Sequence, residues 1–93
     1  MLASDFEVRR RRALYRATHR GSKELDFLLG RFAAQSIATM SDAEIETLER
    51  LIDAPDPDIA TAFYEGQELD EPALDMLMQR LRHFHEFDIT KSG

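Results

Sequence analysis

The sequence predicts an all-α protein, a compact five-helix bundle, and three observations carry that prediction. Apolar residues recur at i, i+3, i+4 and i+7 in successive segments, and no useful stretch alternates with the period of a half-buried strand. Helix-starting signals stand at Ser41 to Glu44, at Asp56-Pro57-Asp58 and at Asp70-Glu71-Pro72, with glycines at 21 and 66 as breaks. The connections left between them are a few residues long, so consecutive helices are expected to pack antiparallel.

The first helix is expected over residues 5–19. Phe6, Ala13, Leu14 and Ala17 share one face, while Arg9 to Arg12 wrap the rest of the cylinder. Arg9, Arg12 and Arg16 line one stripe, which Arg20 extends. That stripe is either a solvated helix face or a surface that attracts an acidic partner.

A glycine corner follows, Arg20-Gly21-Ser22-Lys23-Glu24-Leu25-Asp26, between the arginine-rich helix and the most apolar run of the chain. Gly21 supplies backbone freedom and room for close approach. Ser22 or Gly21 is the expected N-cap, which puts Glu24 in the first turn, where a carboxylate favours the positive end of the helix dipole. Arg20 and Glu24 are expected to be exposed. By local physics alone, the segment is a helix corner with a capping glutamate.

The second helix is expected to run to about Met40, burying Leu25, Leu28, Leu29, Phe32, Ala33, Ile37 and Met40. Phe27 lies off that stripe, placed to meet a neighbouring helix. Gly30 weakens a helix interior by about 1 kcal/mol relative to Ala, which points to close packing. Ser41 and Glu44 form a capping box for the third helix, with Ile45, Leu48, Leu51 and Ile52 inward and Glu46, Glu49 and Arg50 outward. Pro55 and Pro57 end it. Asp56 reads as the N-cap of a short fourth helix with Pro57 at its first position; Ile59, Phe63 and Ala60 are its apolar side and Gly66 its stop. Asp56 and Asp58 also admit a metal-binding reading, but no further ligand stands at matching spacing. The fifth helix buries Leu74, Leu77, Met78, Leu81 and Phe84. His83 and His85 diverge by about 200° on a helix and cannot chelate one ion, so they are assigned to the surface or the helix end. Residues 1–4 and 88–93 are expected to be loose ends of a single domain.

Ninety-three residues, 43% hydrophobic and 32% charged, suit one folded domain with little room for an enclosed cofactor pocket. The absence of cysteine excludes a disulfide framework and a thiolate site. Net charge −6 hides two opposite halves. Residues 1–31 hold eight basic and four acidic side chains, +4, and residues 32–93 hold four and fourteen, −10. No apolar run is long enough to span a membrane, and the acidic N-terminus does not read as a secretory signal, so a soluble cytoplasmic protein is expected. The four glycines are too far apart to cradle a phosphate, and no nucleophilic elbow or triad context is present. A binding module is therefore favoured over an enzyme, with no catalytic residue and no metal of its own.

The residues Arg20-Gly21-Ser22-Lys23-Glu24 resemble the R-G-x-x-E hallmark of the flavinylation-factor family of succinate dehydrogenase assembly, small five-helix proteins. The similarity extends over roughly residues 10–65: Arg12 to Tyr15 upstream, Leu28-Leu29 through Phe32-Ala33, Met40 to Leu51, and the corner Asp56-Pro57-Asp58-Ile59. Near Phe63-Tyr64 many members carry Trp, and this chain has none. The resemblance implies a protein that binds the flavoprotein subunit of succinate dehydrogenase, or of fumarate reductase, and promotes covalent attachment of FAD to a histidine there. It implies no cofactor of its own, only FAD bound to the partner, and a monomer. The implied partner-binding residues are Arg20, Gly21 and Glu24, with Arg12, Tyr15, Arg16, Asp26, Asp56 and Asp58. Arg20 would pair with an anionic group of the flavoprotein and Glu24 would hydrogen-bond near the flavin. The rivals are a nucleic-acid binder using Arg9 to Arg12, Arg16 and Arg20, disfavoured by the acidic remainder of the chain, and an antitoxin-like regulator.

Overall fold

Five helices follow one another through short connections in the computed structural model, which describes residues 5–92 and side chains as far as Glu86. They are α1 (Asp5–Thr18), α2 (Lys23–Ser36), α3 (Asp42–Asp53), α4 (Asp56–Glu65) and α5 (Pro72–Ser92), with a 3₁₀ turn (Ile37–Thr39) after α2. No strand occurs among the described residues. The loose ends expected at 1–4 and 88–93 fall outside the described residues, or outside the described side chains.

α1 and α2 form a tight hairpin because the residues between them are small. Ala13 and Ala17 are fully buried, and a Cβ placed on Gly30 would lie 2.6 Å from Thr18 Cγ2. Thr18 cannot easily yield, since its hydroxyl donates to the carbonyls of Leu14 and Tyr15 at 3.1 and 3.0 Å. The close packing expected at Gly30 is thus real. At the corner itself Gly21 adopts φ 98°, a region that side chains with a Cβ avoid, and Ser22 is the N-cap, its Oγ accepting from Leu25 N.

One apolar cluster joins all five helices. Leu29, Ile45, Leu48, Leu51, Ile59, Met78 and Leu81 are its largest fully buried side chains, each on an expected core stripe. Burying a side chain of this size contributes about 1.5–3 kcal/mol. The capping box at the start of α3 is complete: Glu44 N donates to Ser41 Oγ at 3.2 Å, and Ser41 N donates to Glu44 Oε1 at 2.9 Å.

Four expectations need correction. α2 ends at Ser36 rather than near Met40, because Ser41 must be extended to cap α3 and the chain leaves the helix through the 3₁₀ turn; Met40, already extended, stays buried. The N-cap of α4 is Pro55, which makes no side-chain cap, and Asp56 is the first helical residue with its carboxylate committed elsewhere. Glu49 does not point freely outward; it accepts from Arg9 across the α1–α3 seam at 2.7 Å. His85 is not a surface residue. It is 2% exposed, and its Nε2 donates to the carbonyl of Leu28 at 2.7 Å, tying α5 to α2. Phe27, Phe63 and Phe84 ring it at 5.0–5.6 Å between centroids, so aromatic packing holds the imidazole inside. His83 is exposed, as expected.

Candidate partner-binding site

The corner between α1 and α2 is built from the backbone outward. The positive φ of Gly21 turns the chain through the join. Asp26, one turn into α2, reaches back and accepts the Arg20 backbone N–H at 2.7 Å. Its carboxylate therefore shapes the corner. Nothing lies within 4 Å of the position a Cβ would take on Gly21, and the residue is exposed. The glycine's outer side is open ground between Arg20 and Glu24.

Arg20 does not project as the sequence suggested. Its side chain is only 12% exposed, its Nη2 donates to Ala54 O at 3.0 Å and to Asp56 Oδ1, and its Nε is buried without a partner. The guanidinium thus ties the α1–α2 corner to the α3–α4 corner. A bound Arg at the end of α3 also satisfies a carbonyl that the helix leaves unpaired. Glu24 does face solvent, but it is not alone: the Tyr64 hydroxyl, from the last turn of α4, donates to its Oε1. That hydrogen bond to a carboxylate, with lesser help from burial, pushes the Tyr64 phenol up to about 12.

The other expected site residues fall into two groups. Tyr15 and Arg16 lie beside Arg20 around a shallow depression completed by His19, Ile52 and Asp53. Tyr15 is 62% exposed and stacks on His19 with ring centroids 3.9 Å apart, a flat aromatic step next to the corner. Arg16 pairs with Asp53. Arg12 is exposed and has no ion-pair partner among the described residues, so it is available to an outside anion. Asp58 is exposed in the first turn of α4, where a carboxylate suits the helix dipole. Asp56 belongs to the corner through Arg20; Asp58 is not drawn into that contact.

The arginine stripe of α1 is therefore a seam. Arg9 meets Asp42 and Glu49, Arg16 meets Asp53 and Arg20 meets Asp56, while Arg10 donates to Met40 O and covers the Phe6 ring at 4.1 Å. Sequence reasoning treated these cations as a display because their partners are 30–40 residues away. It also missed Tyr64 as part of the corner; a separation of 40 residues leaves no local signal for that contact. No group of three or more His, Cys, Asp or Glu side chains suited to a metal occurs among the described residues. No helix among them is long and apolar enough to cross a membrane.

Comparison with known proteins adds an independent line. Residues 11–85 match a family model described as the flavinator of succinate dehydrogenase. The chain is 33% identical over 74 residues to a FAD assembly factor SdhE of Acetobacter pasteurianus, an alignment covering 80% of this chain and 68% of that protein. It is 30% identical over 80 residues to a mitochondrial succinate dehydrogenase assembly factor 2 of Dictyostelium discoideum, covering 86% and 57% of the two chains. A yeast protein of the same name, from Scheffersomyces stipitis, is 42% identical over 53 residues, 57% of this chain and 36% of its own. The chain thus spans little more than a third to a little over half of these two mitochondrial relatives. No solved structure matches it. The matched span contains the corner, its neighbours on α1 and the whole of α4, and on that ground the chain belongs to the succinate dehydrogenase flavinator family.

Proposed function

We propose that this protein is an assembly factor that binds the flavoprotein subunit of succinate dehydrogenase, and that of fumarate reductase where present, and promotes covalent attachment of FAD to it. The observation that carries the reading is the open face of Gly21, flanked by Glu24 and by the clamped Arg20. A partner backbone can lie against the glycine while Tyr15, Arg12 and Glu24 meet its side chains around the contact. In this reading the factor carries no flavin and no catalytic residue. The bond forms between a histidine of the flavoprotein and its own cofactor, and this chain contributes by holding the partner's parts in line. We read it as a monomer acting in the cytoplasm. The internal pairing of Arg9, Arg16 and Arg20 favours this reading over nucleic-acid binding, because phosphate tracking needs unspent cations.

Co-expression of a flavoprotein subunit with and without this chain, read by in-gel fluorescence of covalent flavin, tests the proposal. Covalent flavin should depend on the chain, and Glu24→Ala should abolish most of the gain. Equal fluorescence without the chain overturns it.

A further inference from the structure

We propose that Tyr64 is a positioning residue for Glu24, so that α4 is a working part of the corner. The inference rests on the reading of the corner given above. Glu24 stands in the first turn of α2 on a long side chain with no other hydrogen-bond partner among the described residues. Left to itself such a carboxylate samples many rotamers, and any contact it makes with a partner has to order it first. The Tyr64 hydroxyl removes that freedom by donating to Glu24 Oε1. Its ring is in turn fixed edge-on against Phe63, at 4.9 Å and 81°, and Phe63 rests edge-on against the buried His85 at 5.6 Å. His85 is itself anchored to the Leu28 carbonyl, one turn along from Glu24 on the same helix. A closed circuit results: α2 carries Glu24 and also holds, through α5 and α4, the tyrosine that orients it.

Tyr64 and Glu24 are both exposed, Tyr64 at 54%, so the arrangement is presented to a docking protein and not sealed from it. One carboxylate oxygen takes the phenol, which leaves the other for a donor on the flavoprotein. Arg20 is treated in the same way at the other end of α4, where Asp56 holds it. The helix thus grips both charged members of the corner, one near each of its ends.

The test is a two-by-two comparison of Tyr64→Phe and Glu24→Gln in the full chain, singly and together. Covalent flavin yield is scored on the co-expressed flavoprotein and alkaline phenol titration on the isolated protein. Tyr64→Phe should lower flavinylation roughly 3- to 10-fold, the range expected of coupled neighbours, and should have no further effect once Glu24 is Gln. Glu24→Gln should also bring the Tyr64 phenol down toward the ordinary tyrosine range. A loss that is equal in both backgrounds would mean that Tyr64 acts by itself, and the proposal falls. No loss, or a gain, on Tyr64→Phe overturns it as well, the gain meaning that the hydrogen bond restrains Glu24 from docking. If Glu24→Gln alone leaves flavinylation intact, the reading of the corner fails with it. If Glu24→Gln abolishes activity and Tyr64→Phe does nothing, only the positioning role fails.

Discussion

At the scale of single residues, the corner is a set of charges held in place before any partner arrives. Arg20 is the most constrained, and Arg20→Ala should cost about 1–2 kcal/mol through the lost bonds to Ala54 O and Asp56. That is a fraction of a typical domain's stability, so thermal unfolding should remain cooperative while flavinylation drops. The Tyr64–Glu24 pair makes a pH prediction with a definite sign. The phenol rises in the folded state to about 12, above the ordinary tyrosine value of about 10, so the pair's contribution is whole below pH ~10. It fades as pH climbs through the folded value. Thermal melts in alkaline buffers should show this loss for the parent chain and not for Tyr64→Phe. Gly21→Ala is expected to cost about 1–2 kcal/mol, because φ 98° is foreign to alanine even though the space beside it is empty. Affinity for the flavoprotein should therefore be read on variants whose unfolding has been measured.

At the scale of elements, two contacts decide how the helices sit. Gly30→Ala should destabilise by about 1–3 kcal/mol, since the new methyl collides with a Thr18 side chain pinned by two hydrogen bonds. A fall in melting temperature of about 4–8 °C per kcal/mol is the expected readout. Ser41→Ala removes one arm of the capping box and should cost about 0.5–2 kcal/mol. Glu44, held below the usual carboxylate range first by the Ser41 backbone N–H and then by Arg80, contributes stability above that range and loses it as pH falls. The helices were the most legible part of this chain. Repeating apolar positions and the residues that open and close helices are local, so the stripes of α2, α3 and α5, the Ser41–Glu44 box and the Gly66 stop at φ 74° could be read directly. What local pattern does not hold is the identity of a distant partner. His85 looked like a surface histidine because the carbonyl that receives it lies 57 residues away, and Asp56 looked like a cap because Arg20 was not yet beside it.

At the scale of the whole molecule, the chain folds its positive half onto its negative half. The stripe on α1 meets carboxylates of α3 and α4 in sequence, and the radius of gyration, 13.1 Å, is close to the ~12 Å expected for this length. Most of these pairs are partly exposed, so sodium chloride should weaken them. Melting temperature is expected to fall by about 2–5 °C between low and molar salt, and a flat profile would show the seam to be neutral. The corner was legible as a motif, through Arg20, Gly21 and Glu24, but its working geometry was not, because half of it is supplied by α4. The same folding of charge has a consequence for encounter. With Arg9, Arg16 and Arg20 paired along the seam, only part of the positive half is left to act at a distance. Arg11 and Arg12 stand exposed on α1, and Glu68 and Asp70 stand exposed in the α4–α5 loop. Charges already answered within the seam steer little, so the pull toward an electronegative surface comes from the arginines of the first helix that the seam leaves over, and it weakens with added salt.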